Sequence, residues 1–156
     1  MAATALIRLG KLTGRTDYLD SAHHAIFAGL PTIERSPMAA GQLLIALDMW
    51  LGPMQELVLI GGTNPAEDQA VLGELRRAYL PNVVIAYRSG ESQGAHAPHS
   101  PATPRSPILD PLFAGRTAIA GQPTLYICEN FTCQAPVSGV DAMQAAIRKL
   151  AAPSSA

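Results

Sequence analysis

The N-terminal third of the chain repeats apolar side chains every three or four positions, which is the spacing of one face of an α-helix. The pattern predicts a helix over residues 2–13, ended by Gly14, and a second over 18–33, kinked or ended by Pro31. A third helix is predicted over 36–51, so that a helical hairpin is followed by one more helix. The side chains of the third helix expected to face inward are Leu43, Leu44, Leu47, Trp50 and Leu51.

After the third helix the pattern changes to short, continuous apolar runs, which are typical of strands buried on both faces. Runs at 56–60 and 82–87 flank a helix capped by Asn64, and together they predict a βαβ unit with parallel strands. Another run at 124–128 predicts a third strand, and Ser138 is expected to cap a last helix. The predicted fold class is α/β: the three helices pack with a small, mostly parallel three-stranded sheet and its own helices.

These patterns predict a division of the chain into two parts. Residues 1–52 form a helical segment, and residues 53–150 form a small α/β module. Within the module, 89–107 contains four prolines and no large apolar side chain, so it is expected to be a disordered loop. The tail 151–156 is expected to fray.

Composition narrows the function classes. The 156-residue chain has a formal net charge of −1, which argues against a protein that binds nucleic acid by neutralising phosphates. No apolar run is long enough to span a membrane, and the N-terminus lacks the basic start of a signal peptide, so the expected location is the cytoplasm. Charged residues are 15% of the chain, against about 25% in an ordinary soluble domain. The shortage leaves open whether the whole surface faces water.

A glycine pair follows the first predicted strand, at a position where phosphate-binding loops occur. Residues 61–64 read Gly-Gly-Thr-Asn, but neither the Gly-x-Gly-x-x-Gly pattern nor a following Lys-Ser/Thr is present. Two interpretations therefore stay open: an anion site built from free backbone N–H groups, or an ordinary turn leading into a capped helix. The ordinary turn is the preferred interpretation.

The two cysteines are the best candidates for chemistry. Cys128 and Cys133 have four residues between them, which is neither the spacing of a thioredoxin-type redox pair nor a complete zinc site. Cys128 continues an apolar strand and is expected to be a buried, unreactive thiol. Cys133 lies after the strand, near a helix start that could stabilise a thiolate. A structural role is the preferred interpretation of the pair, and for a catalytic role the candidates are Cys133 and Cys128. No metal or cofactor is predicted, because the four histidines lack partners or a rigid support.

Four stretches carry a resemblance to a known family. Residues 124–137 read TLYICENFTCQAPV, residues 115–124 read GRTAIAGQPT, and shorter similarities occur at 80–82 and 9–14. The chain resembles the C-terminal end of the YyaL / spermatogenesis-associated protein 20 family of thioredoxin-domain proteins. The resemblance implies that the helical segment corresponds to the last hairpins of an (α/α)6 barrel, similar to sugar epimerases and six-hairpin glycosidases.

The resemblance implies three functional hypotheses. In the first, the chain is a C-terminal fragment or module without catalytic activity by itself, and its partners are the missing thioredoxin and barrel domains or a second copy in a homo-oligomer. In the second, Cys133 and Cys128 carry a thiol or redox-linked role. In the third, the chain is a remnant of a sugar-processing barrel.

Overall fold

The computed structural model describes residues 2–90, 107–129 and 132–152, and in those ranges it contains six α-helices and five β-strands. The helices are α1 (Ala2–Thr13), α2 (Thr16–Arg35), α3 (Gly41–Leu51), α4 (Pro65–Arg77), α5 (Asp110–Phe113) and α6 (Val140–Ala151). The strands are β1 (Gln55–Ile60), β2 (Val83–Arg88), β3 (Thr124–Glu129), β4 (Thr132–Cys133) and β5 (Val137–Ser138). This confirms the α/β class, with helices packed on a small sheet.

The first three helices begin and end at the predicted start and stop residues except at two positions. Gly14 has a φ of +70°, the left-handed conformation that ends α1, and its N–H donates to the Gly10 carbonyl. Pro31 does not end α2, which continues to Arg35. Residues Pro37–Ala40 form a 3-10 turn before α3, so the predicted third helix is divided into two parts.

The sheet differs from the prediction in its number of strands and their direction. Its order is β2-β1-β3-β4, with β5 also paired to β3. β1 and β2 are parallel, as the βαβ pattern predicts, but β3 runs antiparallel to β1 and to both short strands. The prediction of a mostly parallel three-stranded sheet was therefore wrong: the described sheet has five strands and is mostly antiparallel.

A tight turn decides the direction of β3. Ala120 and Gly121 both have positive φ, as in the two-residue turns that reverse a hairpin, and the Gln122 N–H donates to the Ile119 carbonyl. The Thr63 N–H donates to the Gly121 carbonyl at 2.8 Å, which holds this turn beside the end of β1. The chain therefore enters β3 where β1 ends, and the two strands must be antiparallel.

Ser138 does not cap the last helix. It belongs to β5, and the residue before α6 is Gly139, which has a φ of +84° and makes no side-chain cap. Pairing of β5 with β3 uses the backbone of Ser138 in the sheet, so the helix begins two residues later.

The central strands β1 and β3 are covered on both faces. One face packs on α4 and α6, with Leu57, Leu59, Leu125 and Ile127 against Val71, Leu75, Met143 and Ile147. The opposite face carries Val58, Ile60 and Ala86, which pack against Leu112 and Phe113 of α5. Because both faces are buried, strand residues alternate between two apolar layers rather than between a layer and solvent.

Helices α1–α3 form an apolar cluster of their own beside the sheet. Its buried members are Ala3, Ile7, Ala22, Ile26, Ala46, Met49, Met54 and Val84. Val84 belongs to β2, and Arg8 of α1 donates to the carbonyls of Pro81 and Val83. The helices are therefore fastened to the sheet edge by apolar packing and by two hydrogen bonds.

Two inward positions predicted for α3 are wrong. Leu44 is 36% exposed and Leu51 is 75% exposed, whereas Ala46 and Met49 are the buried residues of this helix. The helix is apolar on nearly every side, so periodicity alone does not tell which side meets the core.

Several expectations concern parts of the chain that the structure does not describe. Residues 91–106 of the predicted loop 89–107, and 153–156 of the predicted tail 151–156, lie outside the described residues. The division into 1–52 and 53–150 stays a prediction. Among the described helices, none has both the length and the apolar character needed to cross a membrane.

Candidate functional site

Cys128 and Cys133 are joined by a disulfide at the edge of the sheet. They are directly opposite each other in the β3–β4 ladder, with Cα atoms 3.9 Å apart. Cys128 is 1% exposed, whereas Cys133 is exposed on β4. The expectation that Cys128 is a buried free thiol was therefore wrong, because the short strand β4 brings its partner into bonding range.

The guanidinium group of Arg116 contacts both sulfur atoms. Its Nη2 atom is 3.3 Å from the Cys128 Sγ atom and 3.3 Å from the Cys133 Sγ atom. A positive charge at this distance stabilises a thiolate. The disulfide is thus placed beside a group that favours its reduced, ionised form.

Backbone and side-chain contacts hold Arg116 in place. Its N–H donates to the Phe113 carbonyl at 3.2 Å, and its own carbonyl accepts from Arg88 Nη2 at 3.0 Å. Its Nη1 atom donates to the Leu112 carbonyl. The short helix α5 and strand β2 therefore orient the guanidinium group before any reaction takes place.

Tyr126 fastens the segment that follows Arg116. Its hydroxyl donates to the Thr117 carbonyl at 2.9 Å and accepts from the Thr117 N–H at 3.2 Å. The Arg116 guanidinium carbon lies 6.0 Å from the centre of the Tyr126 ring, which is within the range of a cation–π contact. Both interactions tie this loop segment to β3, the strand that carries Cys128.

A half-buried carboxyl group shares this face of the sheet. Glu56 of β1 is the register partner of Cys128, so the two side chains project from the same side. Burial raises the pKa of Glu56 above its ordinary value, and the positive charges of Lys11 and Arg116 partly oppose that rise. The site therefore combines a disulfide, a cation and a carboxyl group that holds its proton more firmly than usual.

The glycine pair after β1 is an ordinary turn. The successive N–H groups of Gly61, Gly62 and Thr63 donate to the Arg88 carbonyl, the Asp68 carboxylate and the Gly121 carbonyl. These groups are therefore occupied within the chain, and the anion-binding interpretation has no donors left. Asn64 caps α4 as predicted, since its side chain accepts from the Ala66 N–H at 3.1 Å.

Histidines do not form a metal site in the described part of the chain. His23 packs between aromatic rings, with centroids 4.2 Å from Phe27 and 5.2 Å from Trp50. The Nδ1 atom of His24 lies 2.8 Å from the Asp20 carbonyl. Over residues 2–90, 107–129 and 132–152, no three His, Cys, Asp or Glu side chains come together to hold a metal ion.

The sequence identified the two cysteines but missed Arg116 and Glu56. Arg116 stands in the GRTA run, and Glu56 is the one charged residue in the apolar run of 56–60. A carboxyl group at the start of a buried strand was a usable signal. Its position opposite Cys128 depends on pairing between strands that are distant in the sequence.

Several known proteins are similar to this chain in sequence. No protein-family profile matches the chain, and no solved structure matches it. Human spermatogenesis-associated protein 20 is 26% identical over 138 residues, which cover 88% of this chain and 16% of the human protein. The rat protein of the same name is also 26% identical over the same coverage. An uncharacterized Caenorhabditis elegans protein is 21% identical over 150 residues, which cover 96% of this chain and 19% of that protein.

The matched segment is nearly the whole of this chain but less than a fifth of each relative. The similarity agrees with the resemblance carried by the runs at 115–124 and 124–137, which include Arg116 and both cysteines. The chain is therefore similar in sequence to spermatogenesis-associated protein 20, and it spans less than a fifth of the length of the curated relatives it matches.

Proposed function

We propose that this chain is a C-terminal docking module of its family, without catalytic activity by itself. Its partner is the helical remainder of a longer family protein, the barrel and thioredoxin regions that the resemblance implies. We also propose that the chain is located in the cytoplasm. The observation that carries it is an apolar surface left open on α3.

The α3 surface consists of Leu44, Ile45 and Leu51, which are 36%, 51% and 75% exposed. Leu44 and Leu51 are seven residues apart and lie almost in line along the helix, whereas Ile45 lies about 100° around the helix axis from Leu44. Asp48, the only charged residue of α3, lies on the same side and accepts a hydrogen bond from the Asn82 side chain at 3.1 Å. A helix facing water normally carries several charges there. The scarcity of charge on α3 supports contact with another apolar surface.

Two more large apolar side chains are exposed on the elements next to α3 in the chain or packed on it. Met38, in the turn before α3, is 95% exposed, and Phe27 of α2 is 51% exposed. Covering a large apolar side chain stabilises an interface by about 1.5–3 kcal/mol. A partner that covers several of these side chains gains enough free energy to offset the entropy lost on association.

The choice of partner rests on the length of the relatives. This chain matches 16% of human spermatogenesis-associated protein 20, so most of that protein lies outside the matched segment. Helices 1–52 resemble the last hairpins of a barrel, and the helices of a barrel pack on their neighbours through apolar faces. The rest of the barrel is therefore the partner that best suits a helix with an apolar outer side.

The test compares the wild-type chain with a Leu44→Gln, Ile45→Lys, Leu51→Gln triple variant. The matched control is Tyr79→Lys, because Tyr79 is 81% exposed and lies two residues after the end of α4. We expect the wild type and the control to bind an apolar-surface dye and the separately produced remainder of the human relative, and the triple variant to lose both. Circular dichroism checks that all variants fold.

Two results would contradict the docking proposal. One is a compact wild-type monomer that binds neither the dye nor the remainder of the relative. The other is a stable dimer of this chain that the triple variant abolishes and that ignores the remainder, since the surface would then bind a second copy.

A second candidate function is thiol–disulfide exchange through Cys133 and Cys128. It is favoured by the contact of Arg116 with both sulfur atoms at 3.3 Å. A solvent-accessible disulfide in a reducing compartment is open to exchange. The sugar-processing hypothesis stays a prediction, because no contact of the described residues bears on it.

A further inference from the structure

We propose that Arg116 is the charge-stabilising residue of a dithiol–disulfide exchange site at Cys128 and Cys133, and that the reductant is a dithiol, borne by a small molecule or a protein. This inference rests on the second candidate function above. It adds a direction of attack, a leaving group and a residue that stabilises the developing charge.

The burial of the two sulfurs decides which one is attacked. Cys133 is exposed on the edge strand β4, whereas Cys128 is 1% exposed within β3. An incoming thiolate therefore reaches the Cys133 Sγ atom, and Cys128 is the leaving group. Exchange proceeds through a mixed disulfide on the attacked sulfur.

The exchange balances in two steps. In the first, a thiolate of the reductant forms a bond to the Cys133 Sγ atom, and the Cys128–Cys133 bond breaks with its electron pair passing to the Cys128 Sγ atom. In the second, the other thiolate of the reductant attacks the reductant sulfur that is bonded to Cys133. The two reductant sulfurs form a disulfide, and the Cys133 thiolate leaves. The reductant becomes a disulfide after losing two electrons and two protons. Cys128 and Cys133 take up both and become thiols.

Arg116 is placed to favour the first step. A thiolate forming on Cys128 in an apolar environment is costly, because burial disfavours the charged form. Arg116 Nη2 is 3.3 Å from the leaving sulfur and equally close to the attacked one, so its positive charge offsets that cost at both positions. The contacts of Arg116 with Leu112, Phe113 and Arg88 hold it there without reorganisation.

Other charged and titratable groups lie around the disulfide. Glu56 of β1 is opposite Cys128, and the charges of Lys11 on α1 and Arg116 both act on Glu56. Tyr126 of β3 lies beside Arg116, and its hydroxyl donates a hydrogen bond to the Thr117 carbonyl. Variant rates are therefore compared at several pH values, so that a change at Arg116 is separated from titration of Glu56.

The experiment measures the rate at which dithiothreitol reduces the folded, oxidised chain between pH 6 and 9. The variants are Arg116→Gln, which removes the charge, and Arg116→Lys, which keeps it. Arg148→Gln is the matched control, because Arg148 is exposed on α6 and pairs only weakly with Glu74 at 3.7 Å. We expect Arg116→Gln to be about tenfold slower than wild type at pH 7, and Arg116→Lys and Arg148→Gln to stay within about threefold.

Each outcome decides one claim. If the wild-type disulfide is reduced only after unfolding, thiol–disulfide exchange as a function is wrong. If it is reduced in the folded chain but Arg116→Gln is as fast as wild type, the function stands and the role of Arg116 is wrong. If reduction of Arg116→Lys is as slow as that of Arg116→Gln, the positive charge of Arg116 is not the cause, and the inference is overturned.

Discussion

Glu56 and Cys128 face each other across the β1–β3 ladder, which places a half-buried carboxyl group on the side of the sheet that carries the disulfide. Burial raises the pKa of Glu56, because the charged carboxylate loses hydration that Lys11 and Arg116 replace only in part. The relationship has consequences for both stability and exchange chemistry.

Glu56→Gln is expected to change how stability depends on pH. A carboxyl group whose pKa is raised by folding keeps its proton longer in the folded state than in the unfolded state. Stability is therefore lost as the pH rises from the ordinary pKa of Glu56, 4.5, through the raised value. Urea denaturation of wild type and variant at pH 4 and pH 7 should show the wild type losing stability relative to Glu56→Gln. An identical pH dependence would show that Glu56 is fully solvated.

Cys133→Ser is expected to destabilise the chain only modestly. The disulfide links positions five residues apart, and so short a loop restricts the unfolded chain little. The chain-entropy relation gives about 2 kcal/mol for this loop length. Urea denaturation of the variant should match that of the reduced wild type. A loss of the folded state on reduction would mean that the disulfide is a structural requirement, and would count against an exchange role.

Gly62→Ala and Gly41→Ala are expected to change stability in opposite directions. A Cβ atom at Gly62 would lie 2.6 Å from the Gly121 carbonyl oxygen and 2.7 Å from the Pro123 nitrogen, both backbone atoms that cannot move away cheaply. We expect a loss of about 2 kcal/mol.

Gly41 is the matched control. It begins α3 with helical backbone angles and has nothing within 4 Å of a built Cβ atom. Alanine there should stabilise the chain by about 0.5–1 kcal/mol, because glycine loses more conformational freedom on folding. Thermal denaturation of both variants tests the pair. Equal Tm values for Gly62→Ala and wild type would mean that the contact of the Gly62 turn with the Gly121–Pro123 segment is loose.

Local patterns in the sequence predicted most of the helices and the three long strands. The periodicity of 2–13 and the apolar run at 56–60 each specify an element, since the side chains that define it are neighbours in the chain. The cap at Asn64 and the stop at Gly14 were predictable for the same reason. The inward side of α3 was not, because Leu44 and Leu51 are as apolar as the residues that the core takes up.

The direction of β3 and the composition of the candidate site depend on the tertiary structure. In the turn at Ala120–Gly121, the Gly121 carbonyl accepts a hydrogen bond from the Thr63 N–H. That contact places the start of β3 at the end of β1, so the two strands are antiparallel. Only then does Cys128 face Glu56, and only the added strand β4 brings Cys133 to Cys128.

The sequence by itself determined the helices, the long strands, the candidate cysteines and the shortage of surface charge. Those features depend on the spacing and chemistry of residues close together in the chain. The tertiary structure decided the direction of β3, the pairing of the cysteines, the contact of Arg116 with both sulfurs and the side of α3 that is left exposed. Each of these depends on which distant segments share buried surface and hydrogen bonds, and the free energy of that choice belongs to the whole fold.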